Sequence, residues 1–167
     1  MIDTATGFTK YNQVQANATL TGAEADMNIA ISEQVVIHGG FDLVLGRNEE
    51  TNKWLPMIPA RRIKTGIRWI SQAVGILLNP YIGINSTVVS NQDRVDKFEL
   101  ATGGYTLVDI GFGAEAMTGL RKIRVDVGVE NLFDRAYFDH LSRYKDYGLN
   151  PGRNVTLKVT VPFTIVQ

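Results

Sequence analysis

Asn154-Val155-Thr156-Leu157-Lys158-Val159-Thr160-Val161-Pro162-Phe163 decides the fold. Val155, Leu157, Val159, Val161 and Phe163 fall on one side of an extended chain, and Asn154, Thr156, Lys158 and Thr160 on the other. A period of two over this length predicts a strand with one dry face and one wet face. The same period recurs upstream. Ile123, Val125, Val127 and Val129 alternate with Arg124, Asp126, Gly128 and Glu130. Val108, Ile110, Phe112, Ala114 and Ala116 alternate with Asp109, Gly111, Gly113 and Glu115, and Ile63, Thr65, Ile67 and Trp69 with Arg62, Lys64, Gly66 and Arg68. Ile37, Gly39, Phe41, Leu43 and Leu45 make a further apolar face. So do Ala23, Ala25, Met27, Ile29 and Ile31, opposite Glu24, Asp26 and Asn28, in a segment starting near Val14. Leu78, Ile82, Ile84 and Val88 form another face, interrupted by Pro80. Proline removes a ladder donor, so a bulge is expected there. The one hint of helical period is a turn near Phe138 to Tyr144.

The connections alternate in length. Short turns are predicted at Ser32-Glu33-Gln34, Ser71-Gln72-Ala73 and Thr118-Gly119-Leu120. Long loops are predicted at Asn48 to Ile58, Asn91 to Gly104 and Leu132 to Gly152. Short turns at one end and long loops at the other are the rhythm of an outer-membrane barrel, whose periplasmic turns are short and outer loops long. The polar faces carry charges of both signs, including Arg62, Lys64, Arg68, Asp109, Glu115, Arg124, Asp126, Glu130 and Lys158, as suits a water-filled or plugged lumen. His38 falls on the same side. Trp69, Tyr105 and Phe163, near strand ends, suit an interfacial girdle.

Composition narrows the function classes. The chain has 167 residues, 17 basic and 17 acidic, and no net charge, so it carries no electrostatic footprint for nucleic acid. It has no cysteine, which excludes disulfides, thiolate catalysis and thiolate-bound zinc. No apolar run is long enough for a transmembrane helix. The start, Met1-Ile2-Asp3-Thr4-Ala5-Thr6-Gly7, has no basic residue and no apolar core, unlike a signal peptide. Gly111-Phe112-Gly113 follows no βαβ pattern and is no nucleotide fingerprint. No serine has a nucleophile-elbow setting and no carboxylates pair by spacing, so an enzyme is not expected. Asp93, Asp96 and Glu99, interleaved with Arg94 and Lys97, read as a mixed-charge solvated loop and not a calcium site. His140 stands among Tyr137, Phe138, Asp139, Arg143, Tyr144 and Tyr147. A lone histidine with no second ligand at useful spacing makes no metal site, and a solvated aromatic loop is expected.

Two stretches are specific enough to suggest a family. Gly128-Val129-Glu130-Asn131-Leu132-Phe133-Asp134-Arg135-Ala136-Tyr137 resembles the N-L-F-D-x-x-Y signature of TonB-dependent outer-membrane receptors, which closes the penultimate strand of their 22-stranded barrels. Pro151-Gly152-Arg153-Asn154 is similar to the P-G-R that opens their last strand, which ends near an aromatic, here Phe163. The family usually stops at that aromatic, whereas this chain continues Thr164-Ile165-Val166-Gln167. Gly22-Ala23-Glu24 resembles a G-x-E strand start, and Ile58-Pro59-Ala60-Arg61-Arg62 the I-P-x-x-R that begins a descending strand. The motifs occur in the family's order over residues 12 to 163.

Apart from the name, Asn131 and Asp134 bracket a strand exit, where short polar side chains satisfy freed backbone groups. Leu132 and Phe133 are placed to cover the sheet rim, and Pro151-Gly152 makes a tight re-entry. Structural roles are therefore expected for Asn131, Leu132, Phe133, Asp134, Tyr137, Pro151, Gly152, Arg153 and Phe163.

The resemblance implies an all-β, antiparallel transmembrane barrel segment of seven or eight up-and-down strands. It covers the C-terminal third of such a receptor, so the plug domain and earlier strands are expected to lie outside residues 1–167. It also implies energised uptake of a metal chelate such as a ferric siderophore, haem or cobalamin. The implied partners are outer-membrane lipid, the TonB energy-transducing protein and the barrel assembly machinery, with no cofactor and no resident metal. Tyr137, His140, Arg143 and Tyr144 are the outer-loop candidates for ligand contact. Two alternatives stand beside this reading: a small self-contained outer-membrane barrel with a structural or adhesive role, and a soluble β-sandwich binding module.

Overall fold

The computed structural model describes residues 15–119 and 121–163. Seven strands follow one another: β1 (Ala18–Ala30), β2 (Val35–Asn48), β3 (Arg62–Ile70), β4 (Leu77–Val89), β5 (Tyr105–Thr118), β6 (Arg121–Glu130) and β7 (Asn154–Thr160). Each pairs antiparallel with its sequence neighbours, giving one sheet in the order β1-β2-β3-β4-β5-β6-β7. The predicted alternation of connections is present. Residues 31–34, 71–76 and 119–120 join strands at one end, and residues 49–61, 90–104 and 131–153 at the other.

Register puts the apolar side chains in line. Ile29, Ile37, Ile67, Ile84, Ile110, Val129 and Val155 are direct cross-strand partners in succession, a row spanning the whole sheet. The next row towards the short turns runs Val35, Trp69, Ile82, Phe112, Val127 and Leu157. Among the described residues no second layer covers them: Ile67 is 49% exposed, Ile84 45% and Leu157 69%. Burying such a side chain is worth about 1.5–3 kcal/mol, so one row of seven represents roughly 10–20 kcal/mol that the sheet alone does not realise. A sandwich would need a second sheet over these rows, and the strands form only one. The sandwich alternative therefore fails.

The opposite face collects charge. Glu24, Asp42 and Arg62 are successive partners, as are Glu115 and Arg124, and Asp126 and Lys158. His38 lies there between Asn28 and Gly66. Among the strand residues only Arg47 and Arg121 are charged and stand on the apolar side. Arg47 lies at the long-loop end of β2, and Arg121 at the short-turn end of β6. The apolar stretch of β2 from Val35 to Leu45, at about 3.3 Å per residue, runs roughly 33 Å along the strand. Tilted by the roughly 40° common in membrane barrels, it covers about 25 Å, the height of their apolar band.

Three sequence expectations change. The bulge near Pro80 is present, as a register shift between Leu78 and Tyr81 with Asn79 at φ 48°. The extra residue turns Leu78 onto the polar face opposite Glu115 and brings Leu77 onto the apolar face opposite Ala116. Strict alternation cannot foresee that inversion. The last strand ends at Thr160, so Phe163 lies beyond it and is 76% exposed. Residues 138–144 form turns and not helix. A further strand before Val14 and the extension after Phe163 lie outside the described residues.

The left-handed backbone at Asn79 is what permits the inversion, and asparagine tolerates it where a β-branched residue does not. Asn79→Val is expected to cost about 1–2 kcal/mol, read from the urea midpoint, whereas Asn79→Gly leaves stability unchanged or higher. Equal costs for the two variants would show that the backbone at this position carries no strain.

Candidate functional site

The sheet has little interior of its own, and most of what is buried sits at the long-loop end. Ala60, Val89 and Tyr105 form a small core, with Leu107 and Tyr137 packed against it. Tyr105 and Tyr137 stack at 4.4 Å between ring centroids, tilted by 39°. Gln92, 5% exposed, donates from Nε2 to the carbonyls of Ile58 (2.8 Å) and Pro59 (3.0 Å), tying loop 90–104 to loop 49–61.

A buried charge cluster joins all three long loops. The Glu99 carboxylate accepts from Lys145 Nζ at 2.9 Å and from the Met57 backbone N–H at 3.1 Å. His140 Nδ1 meets Thr102 Oγ1 at 3.0 Å, and Lys145 Nζ also donates to the His140 carbonyl at 3.1 Å. The side chains of His140, Glu99 and Lys145 are 2%, 7% and 8% exposed, which makes this a desolvated cluster and not a surface ion pair. His140 Nε2 approaches Glu99 Oε1 to 3.2 Å, close enough for charge to act, yet the contact is not aligned as a hydrogen bond and Nε2 has no directed partner. Burial, reinforced by the Lys145 charge, lowers the His140 pKa against the opposing pull of Glu99 and Asp139. Burial pushes Glu99 up, but the hydrogen bonds from Lys145 and Met57 and the Lys145 charge outweigh it, and its pKa falls below the ordinary carboxyl value.

The two family-like motifs meet in space. Asn131, 4% exposed at φ 49°, donates its N–H to Asp109 Oδ1 at 2.8 Å. Its side chain closes a loop on Arg135, accepting that N–H at 2.8 Å and donating to that carbonyl at 2.9 Å. Asp134, at φ 52°, accepts the Arg153 N–H at 2.8 Å. A Cβ on Gly152 would collide with the Asp134 carboxylate. So N-L-F-D and P-G-R form one joint, and the glycine is needed because the aspartate occupies its side-chain space. Phe133 does not cover the rim; it is 73% exposed.

Below the rim, the polar wall has its own network. Tyr81 Oη donates to Asp126 Oδ1 at 2.8 Å, Arg124 Nε donates to Asp126 at 2.9 Å, and the Arg68 guanidinium lies 4.8 Å from the Tyr81 ring centroid. Gly113 leaves the space that the Tyr81 ring fills. Arg62 Nε pairs with Asp42 at 2.9 Å. A hollow of mixed lining lies beside this network, bounded by His38, Arg68 and Asn85 with Val36 and Ile70.

The structure separates the four loop residues read as ligand contacts. Tyr137 and His140 belong to the buried rim, whereas Arg143 and Tyr144 face outward. His140 is not a solvated loop residue, and Glu99 is not part of a solvated mixed-charge loop. Sequence spacing had no access to their meeting, since Glu99 and Lys145 stand 46 residues apart on different loops. Tyr105 is not a girdle residue either, because it points to the polar side beneath Tyr137. Trp69 remains on the apolar side, 45% exposed. Among the described residues no three histidine, cysteine, aspartate or glutamate side chains gather as a metal-ligand set.

Solved structures share this architecture. One, named copper transporter OprC, superposes on 86% of this chain with a TM-score of 0.74 at 20% sequence identity. The sheet is a segment of an antiparallel β-barrel. The chain spans 23% of the length of that transporter, and at such identity the likeness shows the fold alone. No family profile and no curated protein matches the chain.

The charge cluster makes the rim acid-sensitive. A histidine held neutral by burial binds fewer protons folded than unfolded. Its contribution is present above the ordinary imidazole value of about 6.5 and is lost as pH falls from there towards the lowered folded value. Glu99 adds a contribution that is lost only at lower pH, as its own depressed pKa is crossed. Protection of the amides in loops 90–104 and 131–153, measured against their intrinsic exchange rates at each pH, is therefore expected to fall below about pH 6.5. Glu99→Gln leaves Lys145 buried without its counter-charge and is expected to open the rim at a cost of about 3–5 kcal/mol. Unchanged loop protection in that variant would show that the cluster does not hold the loops.

Proposed function

We propose that this chain is wall and outer rim of an outer-membrane, TonB-dependent receptor barrel that takes up a scarce metal chelate. The observation that carries the membrane placement is the sorting of charge: the strands keep every acidic side chain on one face, and the only charges on the other, Arg47 and Arg121, stand at its two ends. A face left apolar over about 25 Å matches a lipid-facing band, and the long-loop end is then outermost. The joint between N-L-F-D and P-G-R supports the receptor assignment, because it gives a physical reason for both motifs at the places where the family has them. The copper transporter that shares the fold supports a metal cargo. Under this reading no reaction is catalysed. Lipid, the TonB protein and the assembly machinery are the partners. Arg143 and Tyr144, with exposed Tyr147, are the better placed of the loop candidates for a first contact with ligand. The small closed barrel gains no support, since β1 and β7 do not pair among the described residues.

Membrane placement can be read chemically, because the chain has no cysteine. Single cysteines at Ile84 or Ile110 are expected to resist a membrane-impermeant maleimide in the native membrane, while cysteines at the adjacent Asn85 or Asp109 react. The reverse pattern would sink the outward-facing band. For transport, cells carrying the complete receptor barrel that includes this chain are expected to accumulate a radiolabelled ferric or cupric chelate above cells lacking it, and to lose that excess when a protonophore collapses the inner-membrane gradient. An excess that survives the protonophore rules out energised uptake.

A further inference from the structure

Four polar side chains on the charged face, Asn28, His38, Arg68 and Asn85, border one hollow. Asn28, His38 and Asn85 stand in a single cross-strand row, with Gly66 between the last two. A Cβ on Gly66 would collide with the Asn85 carboxamide and crowd the His38 ring, so the glycine lets both side chains lie over its backbone. One row nearer the short turns, Val36 pairs with Arg68, and Arg68 with Gly83. The Arg68 side chain passes over Gly83, and its guanidinium lies 4.8 Å from the Tyr81 ring centroid. Ile70, the partner of Tyr81, completes the boundary. The hollow has a volume of about 320 Å³, at the lower end of the range for small-molecule sites. No acidic residue lines it. Asp26, next along that side of β1, reaches over Gly40 one row above. Arg68 has no carboxylate within ion-pair distance among the described residues. No hydrogen bond between described residues engages the side chain of Asn28, His38, Asn85 or Arg68, in contrast to Asp42, Tyr81, Asp126 and Glu130 on the same wall.

The geometry points to a carboxylate site: a monoanionic carboxylate on a short aliphatic stem, either free in the lumen or carried by an acidic side chain of another segment that enters it. This rests on the charged face being the lumen, as proposed above, and adds an occupant to it. Arg68 is the only permanently charged residue of the lining, so one negative charge is matched and a cation is disfavoured. A guanidinium meets a carboxylate through two parallel hydrogen bonds, and contact with the Tyr81 ring limits where this one can sit. The carboxamides of Asn28 and Asn85 and the His38 ring add further donors. Val36 and Ile70 offer the stem an aliphatic surface, for which an inorganic anion has no use. A phosphate dianion would also bring a second charge that nothing in the lining answers.

The chain has two histidines, so their ring signals in nuclear magnetic resonance make the test direct. His38 lines the hollow, and His140, buried in the rim, reports assembly of the long loops. Butyrate added to the full chain in detergent micelles, at fixed ionic strength, is expected to shift the His38 signal saturably and leave His140 unmoved. Butyramide, similar in shape but uncharged, is expected to bind on the order of tenfold more weakly. Acetate is expected to bind more weakly than butyrate by about fourfold for each methylene removed, and Val36→Ser to flatten that series. Arg68→Gln is expected to abolish the preference for butyrate over butyramide. The source is read by repeating the titration in the complete receptor barrel that includes this chain, with His38→Ala assigning the signal. A shift there means that the carboxylate is a free ligand. Its absence there, with a shift in the chain alone, means that an acidic side chain already fills the hollow. Both results uphold the carboxylate site. Should the chain alone not assemble, the complete barrel decides, and no shift in it overturns the site. Butyramide binding as tightly as butyrate, or a preference that survives Arg68→Gln, overturns it too. So does an equal response to inorganic phosphate, which marks a general anion site. The maleimide pattern tests the lumen placement separately, so failure of the site and failure of the placement are distinguishable.

Discussion

Strand register is the constraint on which everything else in this structure rests. Side chains alternate with a period of two, so a slip of one residue between neighbours would carry a whole apolar set to the wrong face. The unbroken line from Ile29 to Val155 exists because six successive pairings hold the same phase. Short turns help to fix that phase at one end. Ser32 accepts the Gln34 and Val35 backbone N–H groups through its hydroxyl, closing the β1–β2 turn tightly. Where the phase is broken, at Asn79 and Pro80, the break is confined to the first few residues of β4. Its effect is local: Leu77 and Leu78 exchange faces, and Tyr81 remains on the polar wall to bond Asp126.

The long loops face a different problem. They are too long to be held by turn geometry, and a barrel rim offers little apolar area to pack them. The chain answers with polar contacts, two of them across loops and one that ties the two ends of loop 131–153 together. Glu99 gathers Met57, Lys145 and His140, Gln92 spans to Ile58 and Pro59, and Asp134 receives Arg153. Buried ionic groups are costly to desolvate, and a partner removed from one leaves a larger penalty than the pair's net contribution. Such a cluster gives the rim a defined shape more than it adds stability. It also concentrates acid sensitivity in the loops, away from the strand ladder.

The wall was legible in the sequence because period-two alternation is set by local covalent geometry and needs no knowledge of partners. Every charge assigned to the wet face, from Arg62 to Lys158, lies there. Loop rhythm was equally legible, since turn length is written directly in the spacing of the strands. What could not be read was contact between distant loops. His140 looked solvated because its acid and its base come from positions 99 and 145, and no pattern links those numbers. Tyr105 looked like a girdle aromatic because its position at a strand end is visible in one dimension, but the side it faces, beneath Tyr137, is not. The motifs lay between these extremes. Their backbone-satisfying roles followed from residue type, as Asn131 and Asp134 show, while the steric reason for Gly152 required seeing Asp134 beside it.

Under the receptor reading proposed above, the buried cluster also bears on which loop residues would be free to meet a ligand. A side chain that holds the rim together cannot readily turn outward, because doing so would strip the desolvated charges around it of their partners. His140 and Tyr137 are committed in this way, one between Thr102 and Glu99 and the other on Tyr105. Tyr144, 75% exposed, and Tyr147, 88% exposed, carry no such commitment, yet they flank Lys145 and so inherit its fixed position. Rigid placement beneath and free aromatic surface above is the arrangement that recognition needs, since a preorganised contact forfeits less entropy on binding. The residues that looked most chemical in the sequence are thus the frame, and the plainer tyrosines beside them are the part of the rim left available.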